Sequence, residues 1–267
     1  MQTLPEYELF AIRYATREGN RRENFIGGDP IDASMPLDYF VWAAVGPEHT
    51  FVIDVGFKAE TAARRKRQFL RCPIDTLALI GVDASKVKDV ILTHLHNDHT
   101  GNIHRFPSAQ FHLQERELAY ATGRYMRYPR LSRSFEVEDI VGLVRLNYEG
   151  RVRLHSGEAQ LAPGVTLHPV EGHTIGFQIV RVHTRRGWVV VASDATHFYE
   201  NMDSGRPFPA VFSVGGELEG FDKLLALAPT KNHIVPGHDP LVMSRYPAPN
   251  ENLKGIVVRL DVEPKAD

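Results

Sequence analysis

Four of the thirteen histidines in this chain fall within eleven residues, directly after a predicted buried strand. Residues 93–101 read Thr-His-Leu-His-Asn-Asp-His-Thr-Gly, an H-x-H-x-D-H motif. His94 and His96 are two positions apart, so an extended backbone turns both imidazoles to one side. If the chain then enters a helix, it projects Asp98 and His99 toward a neighbouring point. The motif therefore predicts two nitrogen ligands for one cation, and one oxygen and one nitrogen for a second.

Three further predicted strand ends carry a residue type that binds metals. His173 and His238 each follow a glycine, and Asp194 ends a strand of its own. A glycine before a ligand permits a positive φ or a close backbone approach. Taken alone, each residue would be interpreted as a surface histidine or a turn aspartate. Because they occur in series with the 94–99 motif, a shared metal site is the better interpretation.

The order of predicted elements indicates an α/β fold. The first half has predicted strands at 7–14, 39–45, 51–55, 87–93 and 110–113 and helices at 58–71, 73–79 and 115–122. The second half has strands at 152–154, 165–170, 177–183, 188–193 and 233–235 and a helix at 218–227. Strands followed by helices in each half predict two stacked sheets with helices outside, a four-layer αββα sandwich. We expect a single domain over residues 1–267, with a loop at about 17–38 and an irregular or helical insertion at about 123–150.

Charge and cysteine content narrow the classes of partner and compartment. Lys and Arg number 31 against 33 Asp and Glu, so a net charge of −2 gives no reason to expect nucleic acid as a partner. Cys72 is the only cysteine, which excludes an intramolecular disulfide and a thiolate zinc cluster. The first residues lack the basic and apolar runs of a signal peptide, and no stretch is apolar enough to span a membrane. We therefore expect a cytoplasmic protein.

The ordered set of ligand motifs resembles the metallo-β-lactamase superfamily, and within it the dinuclear hydrolases, over about residues 39–240. The resemblance implies two divalent metal ions per chain, zinc first and manganese, cobalt or iron as alternatives. It implies a first metal held by His94, His96 and His173, a second held by Asp98, His99 and His238, and Asp194 as the bridge between them. A bridging water or hydroxide, with its pKa lowered to about 7 by the metals, would attack a polarised carbonyl group.

Two acids receive further roles from the same resemblance. Asp98, besides binding the second metal, would pass the proton to the leaving group. Asp54 ends a predicted strand two residues before Gly56. In similar proteins this acid supports the metal-binding loop, where such a partner fixes the orientation of a ligating histidine. The alternative for Asp54 is a simple turn aspartate.

Within the superfamily, the chain most resembles the quorum-quenching lactonases, which hydrolyse N-acyl homoserine lactones. An aspartate at position 194 and the remoteness of Cys72 from the motifs argue against a zinc β-lactamase. Few basic residues follow His238, which argues against the glutathione thioesters of glyoxalase II. The predicted reaction is therefore the opening of a lactone or related cyclic ester. A glyoxalase II-type thioesterase, a phosphodiesterase and a non-catalytic metal-bound scaffold stay open, as does a homodimer.

The chain departs from those lactonases three residues after Asp194, where His197 stands in place of their usual tyrosine. His197 could donate a hydrogen bond to the substrate carbonyl, Tyr199 could reach in instead, or His197 could be only a polar wall residue. The departure leaves the lactone class open, because the polar groups of a pocket set specificity. Aromatic and apolar residues that could line the pocket, or equally pack a lid or a subunit contact, are Phe25, Ile26, Tyr125, Met126, Tyr128, Phe208 and Phe212.

Overall fold

The second strand is apolar along nearly its whole length, which is typical of a strand covered on both faces. The computed structural model describes residues 4–265 and buries every position of this strand except Val45. Its strands are β1 (Glu8–Arg17), β2 (Leu37–Val45), β3 (Thr50–Ile53), β4 (Gln68–Phe69), β5 (Asp89–Ile91), β6 (Gln110–Gln114), β7 (Val152–His155), β8 (Ala159–Ala162), β9 (Val165–Pro169), β10 (Gln178–Thr184), β11 (Gly187–Ser193), β12 (Ile234–Pro236) and β13 (Val257–Arg259).

The helices lie between these strands and outside the sheets. They are α1 (Ala59–Arg64), α2 (Pro73–Leu77), α3 (Asn97–Thr100), α4 (Glu115–Ala121), α5 (Pro129–Ser132), α6 (Val137–Tyr148), α7 (Tyr199–Ser204), α8 (Val214–Leu227) and α9 (Leu241–Arg245). Within residues 4–265, no helix combines the length and the apolar surface that crossing a bilayer requires.

The strands form two sheets. The first has the order β13-β1-β2-β3-β5-β6-β7, with β4 paired to β1, and the second has the order β12-β11-β10-β9-β8. Strands β3, β5, β6 and β7 run parallel to one another, as do β11 and β12, while the other pairs are antiparallel. The parallel strands matter most for function, because their carboxyl ends carry the predicted ligands.

Three apolar clusters separate four layers and confirm the predicted αββα sandwich. Trp42 of β2 and Val191 of β11 belong to the cluster between the sheets. The outer face of the first sheet packs against α2 and α6 through Leu77 and Leu143. The outer face of the second sheet packs against Phe221 of α8. The expectation of a single domain stays a prediction, which the core shared by both sheets favours.

The helix predicted over 58–71 is wrong beyond Arg64. After α1 the chain turns at Lys66, which has a φ of 55°, and then forms β4 against β1. The Ala, Arg and Lys content favours a helix, but pairing with an available sheet edge overrides so weak a preference. The helix predicted from Pro73 is confirmed, with Gly81 closing its final turn at a φ of 78°. The insertion at 123–150 is mainly helical, containing α5 and α6.

Candidate metal centre

The predicted ligands lie on loops that leave neighbouring strands at one edge of the sandwich. The 94–99 loop follows β5, Asp194 follows β11 directly, and His238 follows β12. His173 lies in the turn between β9 and β10. Because β11 and β12 are parallel neighbours, their carboxyl ends bring Asp194 and His238 to the same point. All seven of these side chains are buried or nearly so.

A first group joins His94, His96, His173 and Asp194. One possible ligand atom from each of the four lies within 4.8 Å of the others. The Nε2 atom of His173 is 3.0 Å from Nδ1 of His96 and 3.3 Å from Oδ2 of Asp194. Three imidazoles and a carboxylate at such distances can surround a single cation.

A second group joins Asp98, His99 and His238, again with one ligand atom from each within 4.8 Å of the others. The Nε2 atom of His99 is 3.7 Å from Oδ1 of Asp98, and that of His238 is 3.8 Å from Oδ2. These separations leave room for an ion between the side chains, since zinc lies about 2.0–2.2 Å from nitrogen and oxygen ligands.

Asp194 lies between the two groups and faces each with a different oxygen. Its Oδ2 atom is 3.3 Å from His173, on the side of the first group. Its Oδ1 atom is 3.4 Å from His99 and 3.2 Å from His238, on the side of the second group. The carboxylate is therefore placed to bind one cation with each oxygen.

The donor atoms at the centre fit divalent metal ions. Within residues 4–265, the buried atoms His94 Nε2, His99 Nε2 and Asp194 Oδ1 have no hydrogen-bond partner. Buried polar atoms are almost always paired, so these three unpaired atoms, one facing the first group and two facing the second, call for further partners. Imidazole and carboxylate are ligands that suit zinc, manganese, cobalt and iron.

The two glycines that precede ligands serve the two purposes expected of them. Gly172, before His173, has a φ of 141°, and a Cβ there would collide with the backbone of Glu217. At Gly237, before His238, the requirement is a close backbone approach, because a Cβ there would lie 2.7 Å from the carbonyl oxygen of Ser193. Positive φ values also occur at two residues beside the centre that are not glycine, Asp54 at 58° and Ser193 at 46°. Such conformations cost energy and concentrate at functional sites.

Asp54 holds the second group from behind. Its carboxylate accepts hydrogen bonds from the backbone N–H and the hydroxyl of Thr93, both at 2.8 Å. Its Oδ2 atom is also 2.7 Å from Nδ1 of His99, which leaves Nε2 of that ring directed toward Asp98 and Asp194. This is the contact expected of an acid that orients a ligating histidine.

Glu117 of α4 has a related position that the sequence did not reveal. Its side chain is fully buried, and its two oxygens accept from the N–H of Leu95 and from the hydroxyl of Thr174 and the N–H of Gly176. It thus joins the loop of His94 and His96 to the loop of His173. Burial raises the pKa of Glu117 to about 7. A glutamate in the first turns of a helix usually faces solvent, so no local signal marks it.

The electrostatic environments of the histidines differ between the groups. Burial lowers the pKa of His94 and His173 well below the usual value and that of His96 to about 4. Burial also acts against protonation of His99, but the carboxylates of Asp54, Asp194 and Asp98 outweigh it and raise its pKa to about 10. The pKa of His238 is raised in the same way, with Asp194 and Asp98 overcoming the effect of burial.

His197 and Tyr199 are placed differently from one another. The His197 ring lies on the wall of the cavity over the centre, with Nε2 3.3 Å from Oδ2 of Asp194. It stacks on Phe208, with ring centroids 3.9 Å apart and planes within 9°. Tyr199 packs in the core between the sheets, below the guanidinium of Arg245, and does not line this cavity. The expectation that Tyr199 could reach the substrate is corrected, because the start of α7 turns its ring into the core.

The cavity over the centre has a volume of about 110 Å³ and is mainly polar. Of the residues expected to line it, Phe208 does so, and Phe212 lines a small cavity beside it that His96 and His173 share. Phe25 is instead buried between the guanidinium groups of Arg21 and Arg206. Neither cavity is lined by the remaining expected residues, Ile26, Tyr125, Met126 and Tyr128.

Comparison with known proteins agrees with this geometry. An N-acyl homoserine lactonase of a Bacillus species is 28% identical over 172 residues, which cover 63% of this chain and 59% of that protein. The match therefore spans less than two thirds of the relative's own length. A quorum-quenching N-acyl homoserine lactone lactonase has a similar fold, with a TM-score of 0.74 at 20% identity, covering 90% of this chain and 95% of that one. A dizinc quorum-quenching lactonase, AidC, has a TM-score of 0.69 at 16% identity, covering 90% of each chain.

The family assignment rests on a match to the family model over most of the chain. The model of the metallo-beta-lactamase superfamily matches residues 34–240, which include every predicted ligand as well as Asp54 and Glu117. The solved structures share the fold at low identity, and the curated relative shares sequence over 63% of the chain. The chain therefore belongs to the metallo-beta-lactamase superfamily.

Proposed function

We propose that this protein is a dinuclear metal-dependent hydrolase that opens a lactone or a related cyclic ester. The observation that carries the proposal is the placement of Asp194, whose two oxygens face two separate groups of histidines. The first metal would be held by His94, His96 and His173, and the second by Asp98, His99 and His238. Asp194 would bridge them, and zinc is the metal we expect first.

Two divalent ions in these groups would activate a water molecule at neutral pH and polarise a carbonyl oxygen. Asp98 is the more accessible of the two central acids, with 15% of its side chain exposed against 3% for Asp194. It therefore lies where it can hold a proton and deliver it to the leaving alkoxide. His197, on the cavity wall beside Asp194, can donate a hydrogen bond to the carbonyl oxygen as negative charge develops there.

The names of the related proteins support the lactone class. The curated relative and one of the similar structures are named N-acyl homoserine lactonases, and the other similar structure is named a quorum-quenching lactonase. His197 occupies a position that matters for specificity, so the acyl or ring substituent of the substrate need not be the same. The polar cavity wall, with few apolar groups beside Phe208, favours a substrate with a compact or polar substituent over one with a long acyl chain.

The test combines metal analysis with a substrate panel. The purified protein, loaded in turn with zinc, manganese and cobalt, would be assayed on lactones, thioesters and phosphodiesters. We expect two metals per chain and the highest kcat/KM on a lactone. Preference for a thioester or a phosphodiester would reassign the reaction on the same centre. A protein that cleaves none of them and holds fewer than two metals would be a scaffold, and the proposal would fail.

A further inference from the structure

Two neighbouring arginines line the cavity over the candidate metal centre. Thr16 pairs with Gln68 across β1 and β4. The next position outward is Arg17 on one strand and Arg67 on the other, so the two side chains leave neighbouring points of the sheet edge. Both line the same cavity as Asp98, Asp194 and His197. The strand pairing that the helix prediction missed is what brings Arg67 here.

Neither guanidinium is neutralised by an acid in the described part of the chain. Within residues 4–265, no acid forms an ion pair with Arg17 or Arg67, and the buried Nε atom of Arg17, a half-buried residue, has no hydrogen-bond partner. Arg65, which lines the same cavity, differs in both respects. It contacts Glu136 at 2.7 Å and donates to the carbonyl oxygen of Arg133 at 2.9 Å. Arg65 is therefore a structural cation, whereas the other two are left with their charge unmatched.

The two unmatched positive charges destabilise the fold, so their presence calls for a role other than stabilising it. Like charges directly opposite each other on neighbouring strands destabilise a sheet. The acids that line the cavity, Asp98 and Asp194, already belong to the two ligand groups. Guanidinium groups form paired, charge-assisted hydrogen bonds with carboxylates and phosphates, and two of them can hold one anion from two directions. An anion in the cavity would supply the partner that the protein lacks.

We infer that Arg17 and Arg67 bind an anionic group, a carboxylate or a phosphate, on the substrate. The inference rests on the proposed function, since it places the scissile carbonyl at the metal centre and the anion at the arginine pair. It names the substrate class more narrowly, as a lactone or cyclic ester that carries a negative charge away from the bond that is cleaved. A neutral acyl homoserine lactone would leave both arginines unpaired.

The binding experiment compares three probes that share one carboxylate for the metal centre. Butyrate has no second charge, glutarate adds a carboxylate, and 4-phosphonobutyrate adds a phosphonate. Dissociation constants would be measured by calorimetry on the protein with and without zinc, for the wild type and for R17Q/R67Q. The matched control is R153Q, which changes an exposed arginine of β7 at the far edge of the first sheet. R17K/R67K keeps both positive charges but loses the paired N–H donors of the guanidinium groups. Melting curves establish that each variant is folded.

We expect at least one of the doubly charged probes to bind the wild type and R153Q about tenfold more tightly than butyrate. The preferred probe tells whether the anion is a carboxylate or a phosphate. The preference should vanish in R17Q/R67Q and survive in part in R17K/R67K. Equal affinities for all three probes in the wild type, or a preference that persists in R17Q/R67Q, would overturn the inference.

A kinetic arm keeps this inference separate from the proposed function. With γ-butyrolactone and its ring-carboxylated form as substrates, R17Q/R67Q should raise KM about tenfold more for the carboxylated lactone than for the neutral one. Failure to cleave any lactone of the panel with any of the three metals would count against the proposed function and not against the arginine pair. The probe preference measured on the zinc-free protein still decides whether the arginine pair holds an anion.

Discussion

The two ligand groups of the candidate metal centre share Asp194 but differ in charge. The first is built from imidazoles that burial keeps neutral, with lowered pKa values at His94, His96 and His173. The second contains Asp98 and lies next to Asp54, and these carboxylates raise the pKa values of His99 and His238. A metal must meet deprotonated ligands, so the first group is ready for a cation, whereas the second must release protons to one.

The means of support differ as well. In the second group, His99 is held by the carboxylate of Asp54 at 2.7 Å and His238 by the backbone oxygen of Asp38 at 2.8 Å. In the first group, the loops themselves are fixed, because the carboxylate of Glu117 takes hydrogen bonds from both. The second group therefore depends on contacts to its imidazole rings, and the first group depends on the backbone that carries its rings. Four substitutions can test this division.

Removal of the shared acid should have the largest effect. Asp194→Ala removes one ligand oxygen from each group, so we expect both metals to be lost. The value of kcat/KM should fall by more than about 100-fold, which exceeds the loss caused by removing a residue that only hydrogen-bonds to a ligand. Metal content by mass spectrometry and turnover on the best substrate provide the measurement. Asp203→Ala, an exposed acid of the following helix, is the control. Retention of one tightly bound metal would show that the groups are less dependent on each other than the geometry indicates.

His197 should separate catalysis from metal binding. Because its ring lies beside Asp194 but outside the proposed ligand set, His197→Ala should leave both metals bound and lower kcat by about 100-fold, the loss typical of one donor to a developing oxyanion. H197Y, which places a hydroxyl donor at the same position, should recover part of that rate. Normal turnover in the alanine variant would reduce His197 to a wall residue, and loss of metal would make it a ligand.

Asp54→Asn should weaken one group and spare the other. The asparagine keeps the size of the side chain but loses the charge beside His99, so affinity for the second metal should fall by about 10-fold to 100-fold. A two-step zinc titration would detect this, with the first step unchanged. The matched control is Asp89→Asn, which removes the charge from a 3.0 Å contact to His112 away from the centre. Equal weakening of both steps would contradict the division between the groups.

Glu117→Gln should have the smallest effect and act through stability. The amide offers one acceptor instead of two, so a donor from one of the two loops loses its partner, at a cost of about 1–3 kcal/mol in the metal-free protein at pH 5. Folding raises the pKa of Glu117 from its ordinary value of 4.5 to about 7, so its contribution to stability is present below the lower value and lost as pH rises through the upper one. Glutamine does not ionise.

The cost of Glu117→Gln should therefore shrink between pH 5 and pH 8. Urea unfolding at several pH values measures it, with Glu115→Gln, an exposed residue at the start of the same helix, as the control. A cost that grows with pH would mean that the three hydrogen bonds, and not burial, control the ionisation of this carboxyl group.

Local sequence patterns predicted much of the architecture. The β2–β3 hairpin, the β10–β11 hairpin and the helix that begins at Pro73 all follow from apolar runs, turn residues and proline placement. The same reasoning failed where a distant partner decided the outcome. Residues 68–69 became a strand because β1 offered them an edge, and β13 was missed because it too gains its pairing only from β1. Tyr199 was a candidate for substrate contact because it is close to Asp194 in the sequence, but the turn into α7 directs its ring into the core between the sheets.

By itself, the sequence determined which residue types end which strands, and thereby the kind of centre and the family to expect. That information is local, because a histidine after a glycine at a strand end is visible in a few consecutive residues. Only the tertiary structure decided that each oxygen of Asp194 faces a different group, that Glu117 ties two loops together, and that Arg17 and Arg67 line the cavity with no acidic partner among residues 4–265. These contacts join residues far apart in the chain, and packing of the two sheets sets the distances between them.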